Sequence, residues 1–269
     1  MSHLFSQARW LDAVGDWQTV RAGKASMPIF PGKRLGMRAL TMPMLTPSVK
    51  IEASSTEEVE ALIHALPGFS WFNMRFHYSF TNWFPFYWNG FKQTTRYTYM
   101  LEIGDTGNVW SGFKPNVRNK IRIAERAVAV GTEDDLERFY SVVEKTFDRQ
   151  ELPVPFGFDF FQRCVEAVGN DGLMLRAYDK KNRTHSVIFA VKDDGAAYYL
   201  IGASDPALRK SGTQSLLIWE AIKWAAEYVG TFDFEGSMIR PIEMYLRSFG
   251  GRLVPYYKIT KGRGLLKWR

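Results

Sequence analysis

The sequence predicts a mixed α/β (α+β) fold, in which a mixed central sheet is flanked by helices. The first observation is a change in hydrophobic period after residue 170. Three short apolar runs, 173–178, 186–192 and 196–203, are joined by the turns 180–183 and 193–195, which predicts an antiparallel meander.

The second observation is the order of the elements that follow the meander. Helical spacing predicts a helix over 211–228 that buries Leu216, Trp219, Ile222 and Ala226. A strand (231–235), a helix (238–248) and a final strand (252–259) complete the series. Few small α/β folds have this order.

The third observation is the helical pattern upstream of the meander. Basic residues from Lys114 to Arg126, with Ile121 and Ala124 on the other side, predict an amphipathic helix. Thr132 followed by Asp135 predicts a capping box at the start of the next helix. On a third helix, Cys164 lies in the apolar stripe, so we interpret it as a core residue.

The N-terminal part is rich in aromatic residues, and no Asp or Glu occurs between Ala61 and Met100. We interpret most of these rings as core, with an aromatic-lined pocket as the alternative. A strand near 96–103 and a turn at 104–108 precede the basic helix. We therefore predict one domain over 1–112 and a second over 113–269.

The bulk composition limits the functional classes. The 269 residues carry a formal net charge of +7 and one cysteine, which indicates an anionic partner and excludes an intramolecular disulfide. No apolar run approaches the roughly 18 residues that span a bilayer, and the N-terminus lacks signal-peptide features. We expect a cytoplasmic protein.

The loop before the long helix is the first candidate site. It reads Arg209, Lys210, Ser211, Gly212, Thr213, Gln214. A helix N-terminus with a glycine and unsatisfied N–H groups binds anions, and the two cations add charge. The alternative is a solvated helix start that Ser211 caps.

Three further residues could act on protons. Tyr245 lies on the helix after the 231–235 strand, and a tyrosine hydroxyl can protonate a leaving group. Asp233 and Glu235 are two apart on a predicted strand, so they would share one face, either as a functional pair or in structural ion pairs. The four histidines lack ligand spacing, and we expect no metal site.

These pieces together resemble the GNAT acyltransferase superfamily. Its pyrophosphate loop has the form Arg/Gln-x-x-Gly-x-Gly/Ala, and here Gln214 replaces the last small residue. The segment from Tyr245 to Gly250 resembles the family's Tyr-x-Lys-x-Gly-Phe context, in which the tyrosine protonates the leaving thiolate of coenzyme A. The resemblance implies that residues 209–214 hold the cofactor pyrophosphate.

Within the superfamily, the chain is most similar to the FemAB-like group, which has two tandem GNAT-like domains. The resembling stretches are 90–91, 98–99, 118–125, 199–204, 219–225, 232–237 and 249–251. The resemblance implies a reduced N-terminal copy followed by a complete GNAT domain. Members that use aminoacyl-tRNA have a Phe-Lys pair just before the terminal Phe-Gly, whereas this stretch reads Tyr-Leu-Arg-Ser over 245–248 here, which favours an acyl-CoA donor.

The resemblance therefore implies acyl transfer from acetyl-CoA or another acyl-CoA to an amine or hydroxyl acceptor. N–H groups on a splayed third strand would polarise the carbonyl, Tyr245 would protonate the sulfur, and Glu235 or Asp233 would take the acceptor's proton. The alternatives are an aminoacyl-tRNA-dependent transferase acting on a cell-wall precursor, and a non-catalytic binding module, which Gln214 favours.

The last residues raise the question of a membrane partner. The segment 251–269 carries six cations, no acid, and the apolar residues Leu265, Leu266 and Trp268. Either its charges keep an edge strand apart from other chains, or it brings the protein to an anionic membrane that holds a lipid-linked acceptor.

Overall fold

The computed structural model describes residues 3–208 and 212–262. The described chain forms two compact units. The central unit comprises Thr98–Leu253, and the N-terminal unit comprises His3–Tyr97 together with 254–262.

Helices and strands alternate along the described chain, with short 3₁₀ turns at Leu4–Ser6 and Gly169–Asp171. The helices are α1 (Ala8–Val14), α2 (Thr56–His64), α3 (Phe84–Trp88), α4 (Thr106–Gly112), α5 (Pro115–Ala127), α6 (Leu136–Asp148), α7 (Phe158–Val168), α8 (Thr213–Ala226) and α9 (Arg240–Arg247). The strands are β1 (Gln18–Ala22), β2 (Ala25–Ile29), β3 (Pro31–Arg34), β4 (Met37–Thr41), β5 (Trp71–Phe76), β6 (Lys92–Glu102), β7 (Ala129–Thr132), β8 (Gly172–Tyr178), β9 (Thr184–Lys192), β10 (Ala197–Ser204), β11 (Thr231–Asp233) and β12 (Arg252–Gly262).

The central unit contains a mixed sheet in the order β6-β11-β10-β9-β8-β7. Strands β10 and β11 are parallel, and the other neighbouring pairs are antiparallel. The predicted meander is confirmed as β8, β9 and β10, because each of these runs has the apolar pattern of a strand and a turn at its end. The predicted order of helix, strand, helix and strand after the meander is confirmed as well.

The core of the central unit lies between this sheet and its helices. Helix α8 buries Leu216, Leu217 and Ile222, and α5 buries Ile121 against the same cluster. Burial of large aliphatic side chains contributes about 1.5–3 kcal/mol each, so this core is the main support for the site described below.

Helix α6 begins differently from the prediction. Thr132 was the expected cap, but it is the last residue of β7 and pairs with Leu175. Asp135 caps the helix instead, since its carboxylate accepts the N–H of Arg138 at 2.9 Å. Thr132 is engaged in the strand ladder, and the start of the helix therefore moves to Leu136.

The N-terminal unit holds the aromatic-rich segment. It contains the β1–β2 hairpin and strands in the order β3-β4-β5-β12. Phe72, Phe76, Phe86 and Phe91 are buried, as predicted. By contrast, Phe84, Tyr87 and Trp88 on α3 are each more than half exposed.

Two other expectations concern the burial of Cys164 and the presence of membrane-spanning helices. Cys164 is fully buried, and burial raises the pKa of its thiol to about 12, so the core interpretation is confirmed. None of the helices in the described parts of the chain is long and apolar enough to cross a membrane.

Candidate functional site

The first turn of α8 is shaped by Gly212. This residue is the N-cap of the helix and has a φ of +74°, which L-residues with a side chain rarely adopt. A Cβ atom added here would lie 2.8 Å from the carbonyl oxygen of Lys120. Glycine therefore allows α8 to begin directly against the backbone of α5.

Strand β10 separates from β11 partway along its length. The two strands pair only at Ala197 and Tyr198. The register of β10 against β9 shifts between Tyr199 and Ile201, which is a β-bulge, and bulges bend a strand. The expected splay of the third strand therefore begins after Tyr198, because β11 ends at Asp233 just where the bulge begins.

The separated part of β10 presents an open backbone edge. The hydroxyl of Thr146, on α6, accepts the N–H of Ser204 and donates to its carbonyl oxygen, both at 3.0 Å. The backbone of Ser204 therefore points away from β9. Because alternate residues of a strand present their N–H groups to the same side, Gly202 directs its N–H to this open edge too.

A network of side-chain hydrogen bonds joins β10 to α8. The Gln214 amide donates to the Tyr199 hydroxyl at 3.1 Å, and its oxygen accepts from the Ser204 hydroxyl at 3.1 Å. The Tyr199 hydroxyl occupies the position of a missing side chain: a Cβ on Gly202 would lie 1.7 Å from this oxygen. Gly202 is thus required by close packing.

Thr213 belongs to the same network. It is buried, and its hydroxyl lies 2.6 Å from the Ser186 hydroxyl, which lies 2.9 Å from that of Ser204. The side chain of Thr213 thus serves packing within the fold.

Tyr245 projects from α9 towards the first turns of α8. Its hydroxyl lies 3.0 Å from the Ser215 hydroxyl, and its ring packs edge-on against Phe249. Burial raises the pKa of the Tyr245 hydroxyl far above its usual value. The phenol is therefore protonated at neutral pH.

These elements surround a cavity of about 600 Å³. Two cations, Lys120 and Arg149, contribute to its wall, and none of the described lining residues is a carboxylate. The wall is formed by α5, the end of α6, the open end of β10, the start of α8 and the start of α9. The lining residues are Lys120, Ile123, Thr146, Arg149, Gly202, Ala203, Ser204, Gly212, Gln214, Ser215, Pro241, Ile242 and Tyr245.

The structure therefore brings together three of the predicted site residues, Gly212, Gln214 and Tyr245. Arg209, Lys210 and Ser211, which were expected to hold a pyrophosphate, lie outside the described residues.

The two predicted carboxylates lie elsewhere. Strand β11 ends at Asp233, and Glu235 has a φ of +59°, so the prediction that they share one strand face is wrong. Asp233 is buried, accepts a hydrogen bond from the Thr98 hydroxyl, and accepts the N–H of Glu235 at 2.8 Å. Burial raises the pKa of Asp233 to about 6. Neither carboxylate lines the cavity.

Sequence reasoning missed several residues of the site. Thr146, Ser204 and Ser215 carry no motif, and Arg149 follows the end of a helix like any surface cation. Gly202 had a usable signal, because an isolated glycine within a strand often marks a bulge or a close approach. The segment 199–204 was predicted as part of a strand and noted in the family resemblance, but Gly202 was not singled out.

Comparisons with known proteins agree with the fold. Residues 111–238 match the family described as "Acetyltransferase (GNAT) domain". The crystal structure of FemX has a TM-score of 0.73 at 13% identity, and the match covers 95% of this chain and 92% of that one. No match was found among the curated proteins.

Two other solved structures have the same fold over nearly the whole chain. For L-PGS from Bacillus licheniformis the TM-score is 0.58 at 11% identity, with 95% of this chain and 87% of that one covered. For the GCN5-related N-acetyltransferase from Kribbella flavida it is 0.56 at 11% identity, with 97% and 94% covered. Residues 111–238 therefore match the model of the GNAT-type acetyltransferase domain, and the chain as a whole has the fold seen in the FemX and L-PGS structures.

Proposed function

We propose that the chain transfers an acyl group from acyl-CoA to an amine or hydroxyl acceptor at the cavity between α5, β10, α8 and α9. One observation carries the proposal. The Tyr245 hydroxyl, the N-terminus of α8 and the open edge of β10 meet in this one cavity.

The anionic part of the donor would bind at the start of α8. Helix N-termini attract phosphate groups through unsatisfied N–H groups and the helix dipole. Lys120 and Arg149 add positive charge to the same cavity. We assign pyrophosphate binding to Gly212 and to Arg209, Lys210 and Ser211, and we assign Thr213 and Gln214 to the support of the loop.

The acyl carbon would be attacked beside the open edge of β10. A bond forms between the acceptor nitrogen or oxygen and the acyl carbon, and the carbon–sulfur bond breaks. The Gly202 N–H points to this edge and would donate to the oxygen on which negative charge develops. The proton of the acceptor would leave through water, since no described carboxylate lines the cavity.

The departing sulfur would receive a hydrogen bond from Tyr245. A general acid must be protonated before the step, and the raised pKa of this phenol secures that at neutral pH. Ser215 holds the hydroxyl at 3.0 Å and so limits its orientation. The base role considered for Asp233 and Glu235 finds no support in their positions.

We also propose that residues 1–112 are a reduced GNAT-like copy and residues 113–269 a complete one. The compact central unit additionally includes the chain from Thr98, because the end of β6 pairs with β11. The cytoplasm remains the expected location.

A second candidate is transfer from aminoacyl-tRNA to a cell-wall precursor. It is favoured by the fold likeness to FemX and by α5, whose exposed side carries Lys114, Lys120, Arg122 and Arg126. Such a donor would bind with a steep dependence on salt, because each neutralised phosphate releases counterions.

Thermal-shift measurements separate these functions. We expect acetyl-CoA or a longer acyl-CoA to raise the unfolding temperature, since a ligand at about a hundred times its Kd stabilises the folded state by about 2.7 kcal/mol. Total tRNA should have a weak effect that disappears at high salt. Stabilisation by charged but not uncharged tRNA, without an effect of acyl-CoA, would favour the second candidate, and no effect of either would favour a non-catalytic module.

A further inference from the structure

Four exposed apolar side chains lie on the central unit at and beside the mouth of the cavity. Ile123 and Ile242 line the cavity and are about half exposed. Met238 and Ile239 are 52% and 61% exposed and directly precede α9, whose first turn forms part of the cavity wall. We call Ile123, Met238, Ile239 and Ile242 the apolar collar.

Positive charge surrounds the collar on α5. Residues three apart on a helix are neighbours, so Lys120 and Arg126 flank Ile123 on the exposed side. Glu125 follows Ile123 by two positions, which places it about 200° around the helix, away from that side.

Positive charge also accompanies the collar on α9. Arg240 is exposed and directly follows Ile239. The acid of this helix, Glu243, is paired: its carboxylate accepts the Tyr99 hydroxyl at 2.5 Å and lies 3.4 Å from Arg247. The collar is thus an aliphatic patch among cations.

We infer that the apolar collar docks the central unit on an anionic phospholipid surface. Aliphatic and thioether side chains would enter the boundary between headgroups and acyl chains, and the flanking Lys and Arg would meet the lipid phosphates. Complementarity of charge selects this occupant over a neutral apolar partner. Docking would place the cavity mouth at the lipid surface, so an acceptor held in the membrane would reach it directly.

The inference does not depend on the transfer reaction. Vesicle binding and acyl-CoA binding are separate measurements, and either can fail while the other holds. It also differs from membrane attachment through 263–269, where Leu265, Leu266 and Trp268 lie outside the described residues.

The test is partition of the whole chain onto vesicles, measured by co-sedimentation. Vesicles of phosphatidylcholine with phosphatidylglycerol are compared with pure phosphatidylcholine, at low and at high salt. We expect binding to the anionic vesicles only, weakened by salt. Met238→Ser with Ile239→Ser should weaken partition roughly tenfold, because it removes two apolar side chains that partly bury in the lipid.

Matched variants control for folding and for other surfaces. Tyr228→Ser removes a side chain that is 58% exposed just beyond the C-terminal end of α8, roughly 20 Å from the start of that helix, and should leave partition unchanged. Arg126→Gln should weaken binding about fivefold on anionic vesicles. Unchanged thermal midpoints would show that the variants are folded.

Other outcomes overturn the inference. If the Met238→Ser, Ile239→Ser variant binds vesicles as well as the parent does, the collar is excluded as the docking surface. This holds even if binding is lost in another double variant, either Leu266→Ser with Trp268→Ser or Phe84→Ser with Trp88→Ser. Equal partition onto both kinds of vesicle, or no partition at all, would exclude an anionic lipid surface as the occupant.

Discussion

The two halves of β10 differ in what lies beside them. The first half, at Ala197 and Tyr198, is paired with β9 on one side and with β11 on the other. The second half, from the bulge to Ser204, is paired with β9 alone, and its other edge faces the cavity. The site therefore exists because one strand ends early and its neighbour bends away.

This difference also separates the structural side chains from the candidate catalytic ones. Asp233 lies beside the paired half, is buried, and contacts Thr98 and the backbone of Glu235. Tyr245 lies beside the open half with its hydroxyl at the cavity. A motif alone does not distinguish these roles, whereas the pairing of β10 does.

A side chain added at Gly202, in the open half of β10, should have the largest effect on stability and activity. In Gly202→Ala the new methyl group would overlap the Tyr199 hydroxyl, which is held by Gln214. We expect a loss of about 3 kcal/mol in the free energy of unfolding, together with loss of turnover. Denaturant unfolding measures it. The control is Gly230→Ala, where no atom lies within 4 Å and the expected change is below about 0.5 kcal/mol. Equal stability of the two variants would contradict the packing described for the bulge.

Asp233, which lies beside the paired half of β10, should make the free energy of unfolding depend on pH. The pKa of Asp233 is raised from its usual 3.8 to about 6, so the folded state holds this proton more tightly than the unfolded chain. Its contribution to stability is present below pH 4 and is lost as the pH rises to 6. Asparagine does not ionise, so the Asp233→Asn variant does not lose stability in this way. The free energy of unfolding of the variant minus that of the parent should therefore increase by up to about 3 kcal/mol from pH 4 to pH 7.

Denaturant unfolding of both proteins at the two pH values measures this change. Asparagine can still accept the bonds from Thr98 and the backbone, which makes it the matched replacement. A difference in stability that does not vary with pH would show that the pKa of Asp233 is not raised in the folded state.

The smallest effect on stability is expected from loss of the Gln214 hydrogen bonds that connect β10 to α8. Gln214→Ala removes both hydrogen bonds to Tyr199 and Ser204 and should lower the free energy of unfolding by about 1–2 kcal/mol. Binding of acyl-CoA should be unchanged, since a small residue at this position matches the GNAT loop. The control is Gln162→Ala on the exposed side of α7. Acyl-CoA binding that appears only in the Gln214 variant would favour the non-catalytic module.

The sequence predicted the order of elements because the period of the apolar residues changes where the structure changes. It did not predict the splay, which depends on a bulge next to Tyr199 and on the end of β11, and neither leaves a periodic signal. It placed Glu235 on a strand because alternation continues past Asp233, whereas the backbone turns at a positive φ.

The same limit applies within the candidate site. Gly212, Gln214 and Tyr245 were found because they form local motifs that can be recognised. The partners that orient them, Ser215 for Tyr245 and Ser204 for Gln214, are joined only by folding, over 30 and 10 residues of chain. Small hydroxyl residues are common, and their spacing does not reveal such contacts.

The central claim is that Tyr245 donates a proton or hydrogen bond to the leaving sulfur beside the open half of β10. The most direct test is Tyr245→Phe, with Tyr228→Phe as the control, in assays of thiol release from acetyl-CoA with a panel of amine acceptors. The account predicts a fall in kcat of about a hundredfold, with an unchanged Kd for acetyl-CoA. An unchanged kcat, or a loss of activity that comes entirely from weaker donor binding, would contradict it.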